Sequence, residues 1–369
     1  MNFSRWKAPP MTSANEQIVE QIRKRAIRLE RFAAGERRAV LKLLDRLFGE
    51  LRMRIMDMED GAIRATDFQM AKLRYLFERT DATIKATYAE ISGRLEGSLA
   101  SLADIESQWA MNAINGALNV KLITMTPIVR EQIMAAASEV LIEGAPSREW
   151  WSRQENRLIT GFKDQMRKGY LQGETNYQLL KRLKGGVDGS GNAVFDLSKG
   201  TKRGAEAVIR TSVQAVANDA RMRLYRENSD VIRGVMWVST LDTRTTLGCA
   251  ARDGLMWDLD GNPIGHNMSF ISPPAHWNCR SVLTPITRSF REMGIDSDEV
   301  SASTRASIDG QVPEKMTFER WLKGRNEEDI IEVFGPKRAK LWKEGKLSVR
   351  DMVDQRGRPL TLEELRKQG

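Results

Sequence analysis

The chain has 369 residues, 41% hydrophobic and 29% charged, so it can bury a core and is neither wholly disordered nor a small cross-linked fold. Its 58 Lys and Arg residues exceed its 49 Asp and Glu residues and give a net charge of +9, which favours an anionic partner such as nucleic acid. With two cysteines and no apolar run of the roughly 18–20 residues that span a bilayer, a disulfide framework and a membrane partner are both disfavoured.

The first part of the chain is predicted to be an arm followed by helices. Residues 1–15 contain a Pro-Pro pair and little periodicity, which is typical of an arm without regular structure. Residues 16–145 form a predicted helical unit, in which Gly35 is expected to end the first helix. Apolar residues at three- and four-residue spacing then define the buried face of the next helix. They are Val40, Leu43, Leu44, Leu47, Leu51 and Ile55.

Further along the chain, the pattern changes from helix to strand. Helical periodicity extends to about Lys184, where the stretch GGVDGSGNAVFDLSKG predicts a loop or a hairpin. A core helix is predicted from Lys202 to about Arg226, and the β-branched run VIRGVMWVST that follows predicts a strand. We therefore predict an α+β protein that is predominantly α-helical, with a small β-containing element near residues 231–285.

These patterns predict a linear series of segments. The arm and the helical unit are followed by a central module at residues 146–290, a linker at 291–312 and a C-terminal helical segment at 313–369. The last segment carries two capping signatures, Ser348-x-x-Asp351 and Thr361-x-x-Glu364.

An ordered series of motifs is the most specific signal in the chain. Its members are Arg210-Thr211, Tyr225, Trp237-Val238-Ser239, Asp242-Thr243-Arg244-Thr245, Cys249, Asp253-Gly254, Pro273-Pro274, His276 and Cys279-Arg280. Their order resembles that of the Mu F-type phage head morphogenesis family, and the resemblance covers about residues 151–286. Trp237 also fits a core aromatic, and Asp253-Gly254 a turn in which Gly supplies a positive φ.

The resemblance implies a minor head (capsid) protein of a tailed bacteriophage. Such a protein has a structural role in head assembly at the portal or in the procapsid interior. Its expected partners are the portal protein, the major capsid or scaffolding protein and packaged double-stranded DNA. Its expected location is the virion, with assembly in the host cytoplasm.

A cluster of soft ligands is predicted in the central module. Many relatives carry additional cysteines where this chain has Thr246 and Ser281, so a four-cysteine metal site is excluded here. The remaining candidates for a zinc ion are Cys249, His276, Cys279 and His266, because His-x-x-Cys can place two ligands on one turn. Three readings stay open: a zinc site, buried thiols beside a hydrogen-bonded imidazole, and a disulfide.

Positive charge is concentrated in the middle of the chain. Between residues 148 and 233 there are 17 basic and 10 acidic residues, which fits either a DNA-binding surface or a solvated face. The candidate DNA-binding residues are Arg167, Lys168, Lys181, Arg182, Lys184, Lys202 and Arg203.

The alternative to a structural role is a metal-dependent nuclease or another phosphoryl-transfer enzyme. His276 would be its general base, Arg280 would stabilise the phosphate, and Asp242 or Asp253 would hold a metal. With two His in the chain and no His-Asn-His spacing, the catalytic set is incomplete, and we expect no enzymatic activity.

Asp242 and Arg244, two residues apart after a strand, are predicted to pair with each other or with a turn backbone. The short helical end also disfavours an appended toxin domain.

Overall fold

The computed structural model describes residues 13–58, 67–118, 125–187, 191, 193–289, 292–293, 304–307, 310–313 and 317–366. Within these ranges, the protein is mainly helical and has four small antiparallel sheets. This confirms the predicted α+β class with a predominance of helix. None of the described helices is both long enough and apolar enough to cross a membrane.

Helices occupy most of the described chain. They are α1 (Ser13–Met56), α2 (Asp67–Ala117), α3 (Arg130–Ser138), α4 (Ser147–Leu171), α5 (Asn176–Lys184), α6 (Leu197–Glu227), α7 (Leu247–Arg252), α8 (Phe318–Lys323), α9 (Glu327–Phe334), α10 (Pro336–Lys343) and α11 (Leu362–Arg366). A single 3₁₀ turn covers Arg350–Met352.

The strands are short and pair in antiparallel fashion. They are β1 (Leu141–Ile142), β2 (Ala145–Pro146), β3 (Gly186–Val187), β4 (Ala193–Val194), β5 (Ile232–Val238), β6 (Met256–Asp258), β7 (Pro263–Ile264), β8 (Val282–Thr287), β9 (Thr304–Ser307) and β10 (Gly310–Pro313). The pairs β1–β2, β3–β4 and β9–β10 are two-stranded, whereas β7, β6, β5 and β8 form one four-stranded sheet in that order.

The first helix corrects two predictions from the sequence. Gly35 does not end a helix, because α1 continues through it to Met56. A glycine within a helix costs only about 1 kcal/mol, and the buried face of α1 offsets that cost. Val40, Leu44 and Leu51 of the predicted apolar stripe are fully buried. The predicted arm falls mainly on residues outside the described ranges, but residues 13–15 already belong to α1.

The contacts divide the chain into two compact units built from interleaved segments. The first contains the described residues of Met1–Leu29, Leu102–Ala136 and Gln214–Gly369, and the second those of Glu30–Ser101 and Ala137–Val213. Helices α1, α2, α3 and α6 are therefore each divided between the two units. The sequence predicts a different division, into segments that follow one another along the chain. That division stays a prediction.

The four-stranded sheet lies in the first unit and confirms the small β-containing element. The central strand β5 pairs with β6 on one side and with β8 on the other. Every residue of β8 is buried, and the side chains of Trp237 and Trp257 are fully buried. The apolar, β-branched composition of VIRGVMWVST therefore reflects a strand with neighbours on both edges and little access to water.

Buried amide side chains hold β8 in place. Gln214 Nε2 of α6 donates to the Ser281 carbonyl at 2.8 Å, and Asn218 Oδ1 accepts from the Leu283 N–H at 3.3 Å. Asn15 Oδ1 of α1 accepts from the Thr287 N–H at 2.7 Å. Because buried polar groups are costly without partners, these bonds favour one position of the strand against the helices.

The C-terminal part, predicted to be helical, is a series of short helices from α8 to α11. Both capping signatures are present: Ser348 Oγ accepts from the Asp351 N–H at 3.3 Å, and Thr361 Oγ1 accepts from the Glu364 N–H at 3.2 Å. Strands β9 and β10 fall almost wholly within residues 291–312, so part of the predicted linker has regular structure, whereas Glu292 and Met293 lie in a turn.

Candidate metal centre and the basic segment

The end of strand β5 positions helix α7. The Trp237 indole Nε1 donates to Ser239 Oγ at 3.0 Å, and the Ser239 hydroxyl donates to the Cys249 carbonyl at 2.8 Å. Thr246 is the N-cap of α7, where its hydroxyl accepts from the Cys249 N–H at 3.4 Å. Cys249 is therefore held in the first turn of α7 with its side chain buried.

A tight turn brings the second pair of ligand candidates together. The Cys279 N–H donates to the His276 carbonyl at 3.1 Å, which closes the turn directly before β8. Asn278 has a φ of 60°, a conformation that Asn tolerates better than most residues. The Pro273-Pro274 peptide bond that precedes the turn is cis. The His-x-x-Cys spacing thus acts as the sequence predicts, with both side chains on one turn.

Three of the four predicted metal ligands converge. Cys249 Sγ lies 3.3 Å from His276 Nε2 and 3.8 Å from Cys279 Sγ, and the three ligand atoms all lie within 4.8 Å of one another. Both cysteines are free thiols. Such a cluster can bind a soft cation or undergo thiol–disulfide chemistry.

His266 does not join this cluster, contrary to its inclusion among the predicted ligands. Its Nε2 donates to the Met256 carbonyl at 2.7 Å, and its Nδ1 accepts from the Met268 N–H at 3.1 Å. Its ring packs edge-on against Trp257 at 4.7 Å between centroids. Burial is the main cause that lowers the pKa of His266. Both ring nitrogens are used by the backbone, so the side chain is a structural part of the β6–β7 hairpin.

The two thiols differ in their pKa values. The hydrogen bond from Cys249 holds the pKa of Cys279 well below its ordinary value, and His276 acts in the same direction, although burial opposes both. The same contact with Cys279, followed by burial, raises the pKa of Cys249. Cys279 is therefore the sulfur that becomes a thiolate first.

A small cavity opens beside the cluster. Its volume is about 20 Å³, which is room for roughly one water molecule. It is lined by Thr240, Arg244, Thr245, Thr246, Cys249, His276, Asn278, Arg280 and Ser281.

Asp242 binds two arginines that line this cavity. Arg280 donates to both carboxylate oxygens, and its Nη2 lies 2.7 Å from Oδ1. Arg244 Nη2 lies 3.3 Å from Oδ2. The Arg244 N–H also donates to Oδ1 at 3.1 Å. Asp242 and Arg244 thus form the predicted pair, and the sequence did not predict Arg280 as the stronger partner.

We expect the pKa of Asp242 to rise when Arg280 is replaced by Ala. Burial alone would raise this pKa, but the hydrogen bonds and charge of Arg280, followed by Arg244, bring it below its ordinary value. In the native protein, the stability due to Asp242 is present above the unfolded pKa of about 3.9. It is lost as the pH falls through the lower folded pKa.

In Arg280→Ala, the folded pKa moves up toward the unfolded one, so the loss of stability on acidification that is due to Asp242 should become smaller. Carboxyl NMR titration and urea unfolding at several pH values would measure both effects. Arg244→Ala is the matched control, since the Arg244 side chain is 76% exposed and its loss should change the Asp242 pKa less. An unchanged Asp242 pKa in Arg280→Ala would contradict this account.

The other motif residues have structural partners. The buried Asp253 carboxylate accepts from the Ser239 N–H and from the Phe318 N–H, both at 2.8 Å. Gly254 has a φ of 79°, so the predicted glycine turn is present. Arg210 is exposed on α6, whereas the Thr211 hydroxyl donates to the Ala207 carbonyl at 2.7 Å. Both oxygens of Asp242 and of Asp253 therefore accept hydrogen bonds within the protein.

Five of the seven predicted DNA-binding residues are exposed. These are Arg167, Lys168, Lys181, Lys184 and Arg203. Two of them make contacts with aromatic rings: Arg167 lies over Phe77 at 5.3 Å and Lys181 over Tyr177 at 4.8 Å. Their charged groups are nevertheless accessible to an anionic partner.

Arg182 and Lys202 are the two exceptions. Arg182 is only 3% exposed, and its Nε lies 2.5 Å from Glu174 Oε2 in a buried ion pair, so it is not available to DNA. Lys202 is partly buried and pairs with Asp45 of α1, so its charge is already compensated. The charge count along the sequence could not show the Lys202 pairing, because Asp45 is 157 residues away.

Arg252 is a buried cation that the sequence did not predict. Arg252 is 1% exposed and lies over the Trp237 ring at 5.8 Å. Its Nη1 donates to the Gly248 carbonyl at 3.0 Å and its Nη2 to the Arg356 carbonyl at 2.6 Å. Gly357 makes room for Arg252, because its φ is 80° and a Cβ there would lie 1.8 Å from Arg252 Nη1. A single glycine is a weak signal in the sequence. Arg252 links α7 to the C-terminal segment.

The central part of the chain is similar to a family of phage proteins. Residues 160–284 match the family model described as Phage Mu protein F like protein. The matched range is about a third of the 369 residues. The matched range contains the motifs from Arg210 to Arg280, and it confirms the predicted resemblance to the Mu F-type phage head morphogenesis family. No curated protein and no solved structure matches the chain.

Proposed function

We propose that the protein is a minor head protein of a tailed bacteriophage, with a structural role in head assembly at the portal or in the procapsid interior. The observation that carries this proposal is the family match at residues 160–284. Its partners are the portal protein and the major capsid or scaffolding protein, and it is located in the virion after assembly in the host cytoplasm. The long helices α1 and α2 offer extended surfaces for such contacts.

Analysis of purified heads would test this role directly. We expect electron microscopy of purified heads, with the portal resolved, to show the chain at a fixed copy number per head. We also expect a nonsense mutation in its gene to reduce the yield of DNA-filled heads. A normal yield of infectious particles that lack the chain would contradict the proposal. A chain present only outside the particle would contradict it equally.

The exposed basic residues support contact with packaged DNA. Lys168, Lys181 and Lys184 belong to α4 and α5, and no ion pair of these three is described among the residues that the structure covers. Lysine side chains bind phosphates without reading the base sequence. We therefore propose binding to double-stranded DNA that is independent of sequence and sensitive to salt.

The salt dependence of DNA binding should report these contacts. If about four of the five exposed residues touch phosphate, the log–log slope of affinity against salt should be roughly −3 to −4. Replacing Lys168, Lys181 and Lys184 together by Gln should make the slope less negative by about 2–3. Fluorescence anisotropy with two duplexes of unrelated sequence at several salt concentrations would measure both.

A control of equal charge separates local contact from net charge. Lys337, Lys340 and Lys343 are exposed on α10, and replacing these three by Gln removes the same charge at a different place. This control should leave the slope close to that of the native protein. Equal changes in both variants, or binding that ignores salt, would remove the DNA contact and leave the assembly role unaffected.

We further propose that the role is structural rather than catalytic. The engagement of Asp242 and Asp253 supports this, because hydrogen bonds to both oxygens of each carboxylate compete with the binding of a catalytic metal. Supercoiled plasmid incubated with the protein and Mg²⁺ should stay intact. Nicking that disappears in His276→Gln would favour the nuclease alternative instead.

A further inference from the structure

We propose that Cys249, His276 and Cys279 form a binding site for Zn²⁺, with a solvent molecule as the fourth ligand. The site rests on the positions of its own atoms and does not depend on the proposed role in the phage head. Its ligand set is that of zinc sites with three protein ligands and a solvent molecule at the fourth position.

The separations of the ligand atoms suit tetrahedral coordination. With Zn–S bonds of about 2.3 Å and Zn–N bonds of about 2.1 Å, two sulfurs lie about 3.8 Å apart and a sulfur and a nitrogen about 3.6 Å apart. Cys249 Sγ lies 3.8 Å from Cys279 Sγ and 3.3 Å from His276 Nε2. A disulfide would require sulfurs only about 2.05 Å apart. One ion can therefore reach all three atoms after small side-chain adjustments.

The imidazole of His276 presents the correct nitrogen. Its Nδ1 lies 2.9 Å from the Trp277 carbonyl, and since a carbonyl can only accept, Nδ1 carries the hydrogen. In the neutral ring, Nε2 then carries the lone pair, and Nε2 is the atom that lies 3.3 Å from Cys249 Sγ. A backbone carbonyl that holds the second ring nitrogen is the usual support for a zinc-ligating histidine.

The charges around the cluster favour a divalent cation. Two thiolates and a neutral imidazole balance Zn²⁺, so the occupied site is neutral, as a largely buried site requires. Arg280 lines the same cavity, but its guanidinium is bound to the Asp242 carboxylate. The charge of Arg280 is therefore compensated by Asp242, whereas Arg252 interacts electrostatically with both cysteines and favours their thiolate forms.

The fourth position faces the small cavity. Cys249 and Cys279 are buried, whereas His276 is half-buried, so the cluster is reached from the side of the imidazole. The cavity of about 20 Å³ holds about one water molecule. Thr246 Oγ1, which lies 3.1 Å from His276 Nε2, lines that position and can donate a hydrogen bond to the bound solvent.

Metal binding should be measured on the full chain kept reduced. We expect one equivalent of zinc by elemental analysis, and one equivalent of Co²⁺ to give thiolate charge-transfer bands and the intense visible bands of a tetrahedral ion. Cys249→Ser and His276→Gln should each weaken Co²⁺ binding by at least the roughly 10–100-fold that loss of an outer-shell partner costs. His266→Gln is the matched control, because it removes the other histidine and should bind Co²⁺ as the native protein does.

A gain of affinity provides a second, independent test. In Thr246→Cys, a third thiolate beside the fourth position can replace the solvent ligand, and Co²⁺ should bind roughly tenfold or more tightly, with stronger charge-transfer bands. In the native protein, saturating Zn²⁺ should slow the reaction of both thiols with a thiol reagent, and this test needs no variant.

Three results would overturn the proposal. They are Co²⁺ spectra without thiolate bands, equal metal content in Cys249→Ser and the native protein, and oxidation of Cys249 and Cys279 to a disulfide at the same rate with and without saturating Zn²⁺. Circular dichroism of each variant would show that a lost signal comes from a folded protein. If a variant does not fold, thiol protection in the native protein decides the question alone.

Discussion

Replacing Glu106 with Gln should lower the free energy of unfolding by about 3–5 kcal/mol, because it leaves a buried cation without a counter-charge. Glu106 is fully buried on α2, where its Oε1 lies 2.7 Å from Arg25 Nε of α1. Its Oε2 lies 3.2 Å from Arg221 Nε of α6. Arg221 is itself only 1% exposed, so water cannot replace the lost carboxylate.

The geometry explains why a neutral side chain of the same shape is not enough. Arg25 donates a good hydrogen bond to Glu106, but Arg221 lies at ion-pair distance without hydrogen-bond geometry. Its interaction with Glu106 is therefore mainly between charges, and Gln removes that charge. The burial that raises the pKa of the neighbouring Tyr225 shows how little solvent reaches this cluster.

An exposed pair on the same helix gives the control. Glu90 of α2 lies 2.7 Å from Arg46, and the two side chains are 52% and 57% exposed. Glu90→Gln should therefore cost less than about 1 kcal/mol. Urea unfolding followed by circular dichroism would compare both variants with the native protein. Equal and small losses in the two variants would mean that Arg221 finds solvent or another partner, and the account of the buried cluster would be wrong.

Replacing Asp253 with Ala should destabilise the protein by about 2–5 kcal/mol, since two buried backbone N–H groups lose their acceptor at once. The Asp253 carboxylate accepts from Ser239 after β5 and from Phe318 at the start of α8, each at 2.8 Å. It is 4% exposed, so water is a poor substitute. The same side chain thus connects the sheet to the C-terminal helices.

The loss should be localised to that connection. Hydrogen exchange should show faster exchange at the Phe318 amide and in α8, beyond the change expected from the overall loss of stability. Asp260→Ala is the control, because Asp260 is exposed in the turn after β6 and surface changes of this kind stay within about 0.5 kcal/mol. If α8 stays as protected in Asp253→Ala as in the native protein, Asp253 does not tie the two parts together.

Local patterns in the sequence predicted the elements because those patterns report local physics. The recurrence of Val40, Leu44 and Leu51 predicted a buried helical face, and all three are fully buried. The β-branched run after Asp230 predicted the strand that became β5. The capping signature Ser348-x-x-Asp351 predicted hydrogen bonds between neighbours in the chain, and they are present.

The sequence also predicted the centre of the candidate metal site. The spacing His276-x-x-Cys279 places both residues on one turn, and the order of the motifs predicted that Cys249 would meet them. Residue types alone could not separate His266 from His276, since both lie within reach of the same cysteines along the chain. What separates them is the backbone: the nitrogens of His266 are bonded to Met256 and Met268.

Only the tertiary structure decided which charges are free. Arg182 and Lys184 look alike in the basic run, yet the first is buried against Glu174 and the second is exposed. Glu106, at a position where the sequence shows only one of many charged helical residues, became the counter-charge of two arginines. Helical periodicity is set by neighbours three or four residues away and can be seen in the sequence. The partner of a charge is set by segments that folding brings together, here 81 residues apart for Arg25 and Glu106, and no local pattern records it.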